Sequence, residues 1–252
     1  AKHLADTGFL LVSQTGRDAA VDYRDSLVAG GYPVEDLTRD EAVRRHPFLD
    51  PGGVHSAAFS PEGGVLLCRH IACDLLAFLR RAGVTIRAQT QVVAVDAASG
   101  KVRLAGGEEL AGDHVVVTAG AWVLQLFPQL ADRLTSYRTA VAYLDPPADL
   151  VAAWEASPVI LDVGGTVDGY VLPPVRGTGI HKVRAGADER RVPEPGEGER
   201  LRDHFAPPFA RIKEYRVSEV VTCAYTFTAD EHFLVAGEDR LTIVSACSGH
   251  GY

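Results

Sequence analysis

Two short segments concentrate the reactive residue types of this chain. The first is Cys223-Ala224-Tyr225-Thr226-Phe227-Thr228-Ala229-Asp230-Glu231-His232-Phe233, and the second is Ser248-Gly249-His250-Gly251-Tyr252. A cysteine acts as a nucleophile only as its thiolate; by residue type alone it is more often a small buried hydrophobe. A tyrosine such as Tyr225 offers a hydrogen-bonding phenol and an apolar wall at once. Gly249 and Gly251, on either side of His250, let the backbone approach a ligand closely. Two runs pass from an apolar strand pattern into glycines: Val115 to Trp122, and Ile243 to Gly251. Such turns bring backbone amides to a ligand, often at a helix N-terminus. Taken singly, each is also an ordinary tight turn.

In combination these segments resemble the flavin-dependent amine and amino-acid oxidases of the D-amino-acid-oxidase-like group. Within that group they are most similar to monomeric sarcosine oxidases and N-methyl-amino-acid oxidases. Those proteins carry Cys-x-Tyr-Thr-x-Thr-x-Asp-Glu-His-Phe, followed by Ser-Gly-His-Gly-aromatic. Gly120-Ala121-Trp122, and Tyr170-Val171-Leu172-Pro173 with Gly179-Ile180-His181-Lys182, also resemble family segments. The likeness runs in order over essentially the whole chain.

The resemblance implies FAD, bonded through Cys223, with Val93, Gly120, Ala121, Trp122, Ser248, Gly249 and Gly251 at the cofactor. It implies Lys182 beneath the flavin, where a fixed cation promotes oxygen reduction. It places His250 over the ring, and Tyr170 and Tyr225 around the substrate. The spacing from Tyr170 to Lys182 is one residue longer than in typical relatives, with His181 inserted beside the lysine. His232 and its Asp-Glu-His-Phe block read as structural, turning the chain back into the flavin domain. The implied reaction is oxidation of the C–N bond of a small amine, an N-methyl amino acid such as sarcosine, with O2 as acceptor and H2O2 as product. Two other readings stay open. One is a D-amino-acid-type oxidase or dehydrogenase with non-covalent flavin. The other is a truncated, non-catalytic or split-enzyme domain, because no G-x-G-x-x-G follows a strand near residue 1. With no methionine and no such motif, the chain reads as an internal fragment.

The elements that must position these residues follow from periodicity and punctuation. Thr7 to Val12 reads as a strand, and Arg17 to Ala29 as a helix stopped by Gly30-Gly31. Thr38-Arg39-Asp40-Glu41 is a capping box opening a short helix. Ile71, Leu75, Phe78, Leu79 and Ala82 recur at helical spacing. Strands are expected at Val84 to Arg87, Gln91 to Asp96, Val102 to Leu104 and Glu109 to Leu110. His114 to Thr118 has the near-continuous apolar character of a buried parallel strand. Beyond Tyr137, strands are expected at Thr139 to Leu144, Val159 to Val163, Gly169 to Leu172 and Gly179 to Arg184. Helices are expected at Glu199 to Phe205 and Pro208 to Glu214, and a buried strand at Leu241 to Ala246.

The expected fold is α/β, with α+β character in the second domain. A partial FAD-binding dinucleotide fold (residues 63–130 and 233–252) would join a substrate domain with a mostly antiparallel sheet (1–62 and 131–232).

Composition narrows the partners. The net charge of -8, without a basic run, disfavours nucleic acid. No apolar run reaches membrane-spanning length. The four cysteines form no CxxC pair, which disfavours a zinc knuckle, so no metal is expected. They also make a poor disulfide scaffold, which fits a reducing cytoplasm. The expected partners are a small amine or amino acid and O2. The oligomeric state is not legible.

Overall fold

A computed structural model describes residues 3–161, 169–174, 193–248 and, by backbone alone, 182–187. The chain divides into two compact units. Among the described residues, the first takes 3–72, 139–161, 169–174, 182–187 and 193–222; the second takes 73–138 and 223–248. The architecture is α/β with mostly antiparallel sheets, as the sequence leads one to expect.

The first unit is built on an eight-stranded sheet. Its order is Arg216–Phe227, Thr135–Asp145, Lys182–Ala187, Tyr170–Leu172, Val159–Leu161, Phe9–Ser13, Ser56–Ser60 and Glu35–Thr38. Phe9–Ser13 pairs parallel with Val159–Leu161 and antiparallel with Ser56–Ser60. It is apolar at nearly every position because both its faces are covered. Leu10 and Val12 enter the larger core with Phe48, Trp154, Ile160 and Phe209, whereas Leu11 packs with Ala20 and Ala58 beneath helix Ala19–Ala29.

The expected capping box is present. Thr38 Oγ1 accepts from the Glu41 amide at 3.3 Å, and the Glu41 carboxylate accepts from the Thr38 amide at 2.9 Å. Helix Ala19–Ala29 starts later than expected because Asp18 ends the preceding loop. The Asp18 carboxylate accepts from the amides of Gln14 at 2.8 Å and Thr15 at 3.0 Å. Desolvation pushes this carboxyl up, but the hydrogen bonds from Ser13, Thr15 and Gln14 together outweigh it and hold it below the ordinary value of 3.8. A lowered folded value means that the unfolded chain binds the proton more readily. The stabilisation is complete above the ordinary value and is lost as the pH falls through the folded one. Asp18→Asn is therefore expected to lower the melting temperature at neutral pH, with the deficit closing in acid. Thermal melts of both proteins across pH 2–7 check this, and a pH-independent deficit would rule the charge out.

The second unit holds two three-stranded sheets. Val92–Asp96, Lys101–Leu104 and Glu109–Ala111 form the expected antiparallel meander. In the other sheet, Leu241–Ser245 lies between Leu234–Glu238, antiparallel, and Val115–Val117, parallel. Val117, Val123, Phe127, Leu234 and Ile243 are among the residues of its core.

Three expectations need correction, while the helix read over residues 71–82 forms. Val84 to Arg87 is not a strand: its β-branched residues suit one, but no strand pairs with it among the described residues. Helix Cys68–Arg81 forms as expected, with Leu75 53% and Phe78 58% exposed on its apolar stripe. Val115–Val117 is buried on one side only, since Val116 is exposed. Pro208 to Glu214 is not a helix. Arg211 takes a left-handed backbone (φ 57°), leaving only a short 3-10 turn at Ile212–Glu214.

Candidate functional site

The second unit brings several of the expected residues to one sheet edge. Val115–Val117 and Leu241–Ser245 are parallel, with Val115 opposite Leu241 and Val117 opposite Ile243. Their carboxyl ends therefore open side by side, the place where parallel sheets bind ligands. Val117 leads through Thr118 and Ala119 into the 3-10 turn Gly120–Trp122. Gly120 adopts φ 54°, and a Cβ built there would meet nothing within 4 Å. Ala121 is buried beneath the turn, while Trp122 is exposed.

The neighbouring strand ends in Ala246, Cys247 and Ser248. Ala246 (φ 55°) and Ser248 (φ 48°) are both left-handed, although neither is glycine and they are only 1% and 4% exposed. Such backbones persist only where surrounding contacts fix them, and they cluster at functional sites. The Ser248 hydroxyl lies 3.4 Å from the Ala246 carbonyl. Gly249, His250 and Gly251 lie outside the described residues.

Strand Arg216–Phe227 carries the cysteine motif. Side chains alternate along a strand, so Cys223, Tyr225 and Phe227 share one face and Ala224 and Thr226 the other. The Cys223 thiol is free and exposed, not the small buried hydrophobe that residue type alone suggests; Tyr225 is half-buried. Phe227 meets Tyr137 edge to face, with ring centroids 5.0 Å apart. After the strand the chain turns at once. Thr228 Oγ1 donates to the His232 carbonyl at 2.7 Å, and the His232 amide donates to Asp230 at 3.2 Å. The Asp-Glu-His-Phe block is thus a turn closed on itself. The polar neighbours Thr228 and His232 hold the Asp230 carboxyl below the ordinary range.

Thr226 escaped the reading of the sequence. It is buried, and its hydroxyl lies 3.2 Å from Ser245 Oγ while accepting the Ala246 amide at 3.2 Å. Its carbonyl accepts the Ser248 amide at 3.1 Å. The signal was available: in an alternating strand a threonine next to Tyr225 must face away from the Cys223 side.

The remaining expected residues lie elsewhere. Val93 is exposed on the meander. Tyr170 belongs to the first unit. There it lines a cavity of about 420 Å³ with Phe9, Tyr23, Leu27, Tyr32 and Leu161. Lys182 is described by its backbone alone, opposite Leu172; His181 lies outside the described residues. Among the described residues no group of three or more His, Cys, Asp or Glu could hold a metal ion. No described helix is long and apolar enough to cross a membrane.

Residues 3–252 match the family model described as FAD dependent oxidoreductase. The chain belongs to this family. A monomeric sarcosine oxidase from Streptomyces avermitilis is 24% identical over 276 residues, covering 94% of this chain and 70% of the relative. One from a Bacillus species is 24% identical over 267 residues, covering 100% and 68%. Among solved structures, a glycine oxidase from Geobacillus kaustophilus superposes with a TM-score of 0.76 at 20% identity. That match covers 96% of this chain and 65% of the other. A fructosyl peptide oxidase from E. terrenum gives 0.79 at 20% identity, covering 99% and 67%. The chain thus spans about two thirds of the length of these relatives.

The residues of this FAD dependent oxidoreductase fit its cofactor at two points. The open Cβ position of Gly120 leaves room for close approach to the strand-end turn, and the exposed thiol of Cys223 suits an electrophilic ligand edge.

Proposed function

We propose that this FAD dependent oxidoreductase oxidises the C–N bond of a small amine, an N-methyl amino acid such as sarcosine, with O2 as acceptor and H2O2 as product. The observation that carries the reading is the sheet edge of the second unit. There two strand-end turns lie side by side, and hydrogen bonds tie the strand bearing Cys223 and Tyr225 to one of them. When bound, FAD supplies the two-electron acceptor and the reaction with oxygen. Cys223 would anchor it covalently, and Gly120 to Trp122 and Ser248 would line its site. The phenols of Tyr225 and Tyr170 orient the substrate by hydrogen bonding to its carboxylate. Lys182 would supply the positive charge that favours oxygen reduction, and His250 a hydrogen bond that holds the substrate. We assign residues 63–130 and 233–252 to the cofactor side, and 1–62 and 131–232 to the substrate side.

The test is the visible spectrum of the purified protein before and after acid precipitation, together with peroxide release. Sarcosine, N-methylalanine, glycine and D-alanine serve as substrates. The expected result is a yellow protein whose colour stays in the acid pellet and which releases peroxide fastest with the N-methyl compounds. Colour released by acid, with peroxide fastest from D-alanine, would replace this reading with the non-covalent D-amino-acid type. A colourless protein that forms no peroxide would reject it in favour of a non-catalytic domain.

A further inference from the structure

We propose that Thr226 is a positioning residue. Its hydroxyl and carbonyl together fix the Ala246–Ser248 turn against the strand that presents Cys223 and Tyr225. The inference rests on the oxidase reading for its catalytic consequence and on geometry alone for its structural one.

Three contacts converge on this residue. Its Oγ1 accepts the Ala246 amide at 3.2 Å and pairs with Ser245 Oγ at 3.2 Å; its carbonyl accepts the Ser248 amide at 3.1 Å. A threonine hydroxyl has one proton and two lone pairs, so it can serve Ala246 and Ser245 at once. All the participants are buried, so water cannot replace a lost partner at the Ala246 amide. The two amides held this way belong to residues in left-handed backbones that L side chains avoid (φ 55° and 48°). Without outside support, this turn would relax toward ordinary φ.

Parity gives the arrangement its consequence. Because side chains alternate, the Thr226 hydroxyl reaches the turn from the face opposite Cys223 and Tyr225. The strand therefore sets two things with one backbone: where the thiol and phenol stand on one side, and where the Ala246–Ser248 turn stands on the other. Loss of the hydroxyl would uncouple them without touching any residue assigned to the cofactor or the substrate.

The experiment compares wild type, Thr226→Val and Thr226→Ser in the flavin-loaded protein. Readouts are amide hydrogen exchange over residues 244–248, the flavin absorption spectrum, and kcat and KM separately. Thr226→Val keeps the shape and loses the hydroxyl. It is expected to speed exchange over 244–248 about tenfold, the loss of roughly one buried hydrogen bond. It should also shift the flavin spectrum and lower kcat more than it changes KM. Thr226→Ser is expected to restore all three. Wild-type exchange and spectrum in Thr226→Val would overturn the proposal, as would a serine variant that behaves like valine. Should the valine variant fail to fold, Ser245→Ala removes one hydroxyl contact while sparing the Ala246 bond. It is then expected to show a smaller rise in exchange over 244–248, and no rise would overturn the proposal. If the wild type holds no flavin, the oxidase reading fails, yet the exchange comparison still decides the positioning role.

Discussion

Replacing Cys223 with alanine is expected to release all of the flavin into the supernatant on acid precipitation, where the wild type keeps it in the pellet. Thioether formation needs a thiolate that can reach its electrophile. Cys223 is exposed on the face it shares with Tyr225 and Phe227, within the motif that carries the resemblance. Cys68 and Cys73 are also exposed, on helix Cys68–Arg81, and serve as internal controls. Cys73→Ala should leave the acid-stable colour unchanged. Acid-stable flavin in Cys223→Ala would place the bond on another residue. Acid-labile flavin in both proteins would make the cofactor non-covalent and Cys223 an ordinary surface thiol.

Phe48→Ala is expected to cost about 3–5 kcal/mol, the usual range for deleting a fully buried phenylalanine. That is a large part of the roughly 5–15 kcal/mol by which domains are stable. Phe48 is 0% exposed and stacks on Trp154 with ring centroids 4.0 Å apart. Trp154 in turn donates its indole N–H to the Tyr215 hydroxyl at 2.9 Å. Burial pushes the Tyr215 phenol above its ordinary value, more than the indole bond lowers it. Removing the Phe48 ring takes one wall from this aromatic stack and leaves a cavity between elements that packing holds rigid. Urea unfolding, followed by tryptophan fluorescence, measures the loss. A change below about 1 kcal/mol would mean that the site collapses freely. Glu35→Ala is a useful contrast. It breaks the exposed Arg45 pair at 2.7 Å and is expected to leave the urea midpoint nearly unchanged.

Local chemistry made much of this molecule legible. The capping box at Thr38 and Glu41, the apolar run at Phe9–Ser13 and the meander from Val92 to Ala111 are each decided by neighbouring residues, and each forms. The strand-then-glycine patterns at Val117 and Ile243 marked the two turns that share a sheet edge. What could not be read depends on partners distant in sequence. Val84 to Arg87 has a strand's residues but no described neighbour to complete a ladder. Ala246 and Ser248 carry no residue-type signal for left-handed backbone, because Thr226, some twenty residues earlier, imposes it. Arg211 likewise gives no warning that it breaks a helical pattern. Its guanidinium pairs with Asp149 and Glu214, one of them distant in sequence, and its backbone is left-handed.

The parallel pairing of Phe9–Ser13 with Val159–Leu161 has a consequence for the order in which the protein can assemble. During synthesis, Ser56–Ser60 can cover one edge of the Phe9–Ser13 strand early. Its other edge waits for a partner roughly 150 residues further along, which at ribosomal speeds of about 5–20 residues per second is a delay of about 8–30 s. Over that interval an apolar strand stands with a row of unpaired backbone groups, open to any other strand it meets. Closure then brings together segments that are remote in the chain, a slow class of contact to form. The central sheet is thus most vulnerable before the second half of its own sequence exists, and production at low temperature or with a holdase chaperone should raise the soluble yield more than any change to the finished surface.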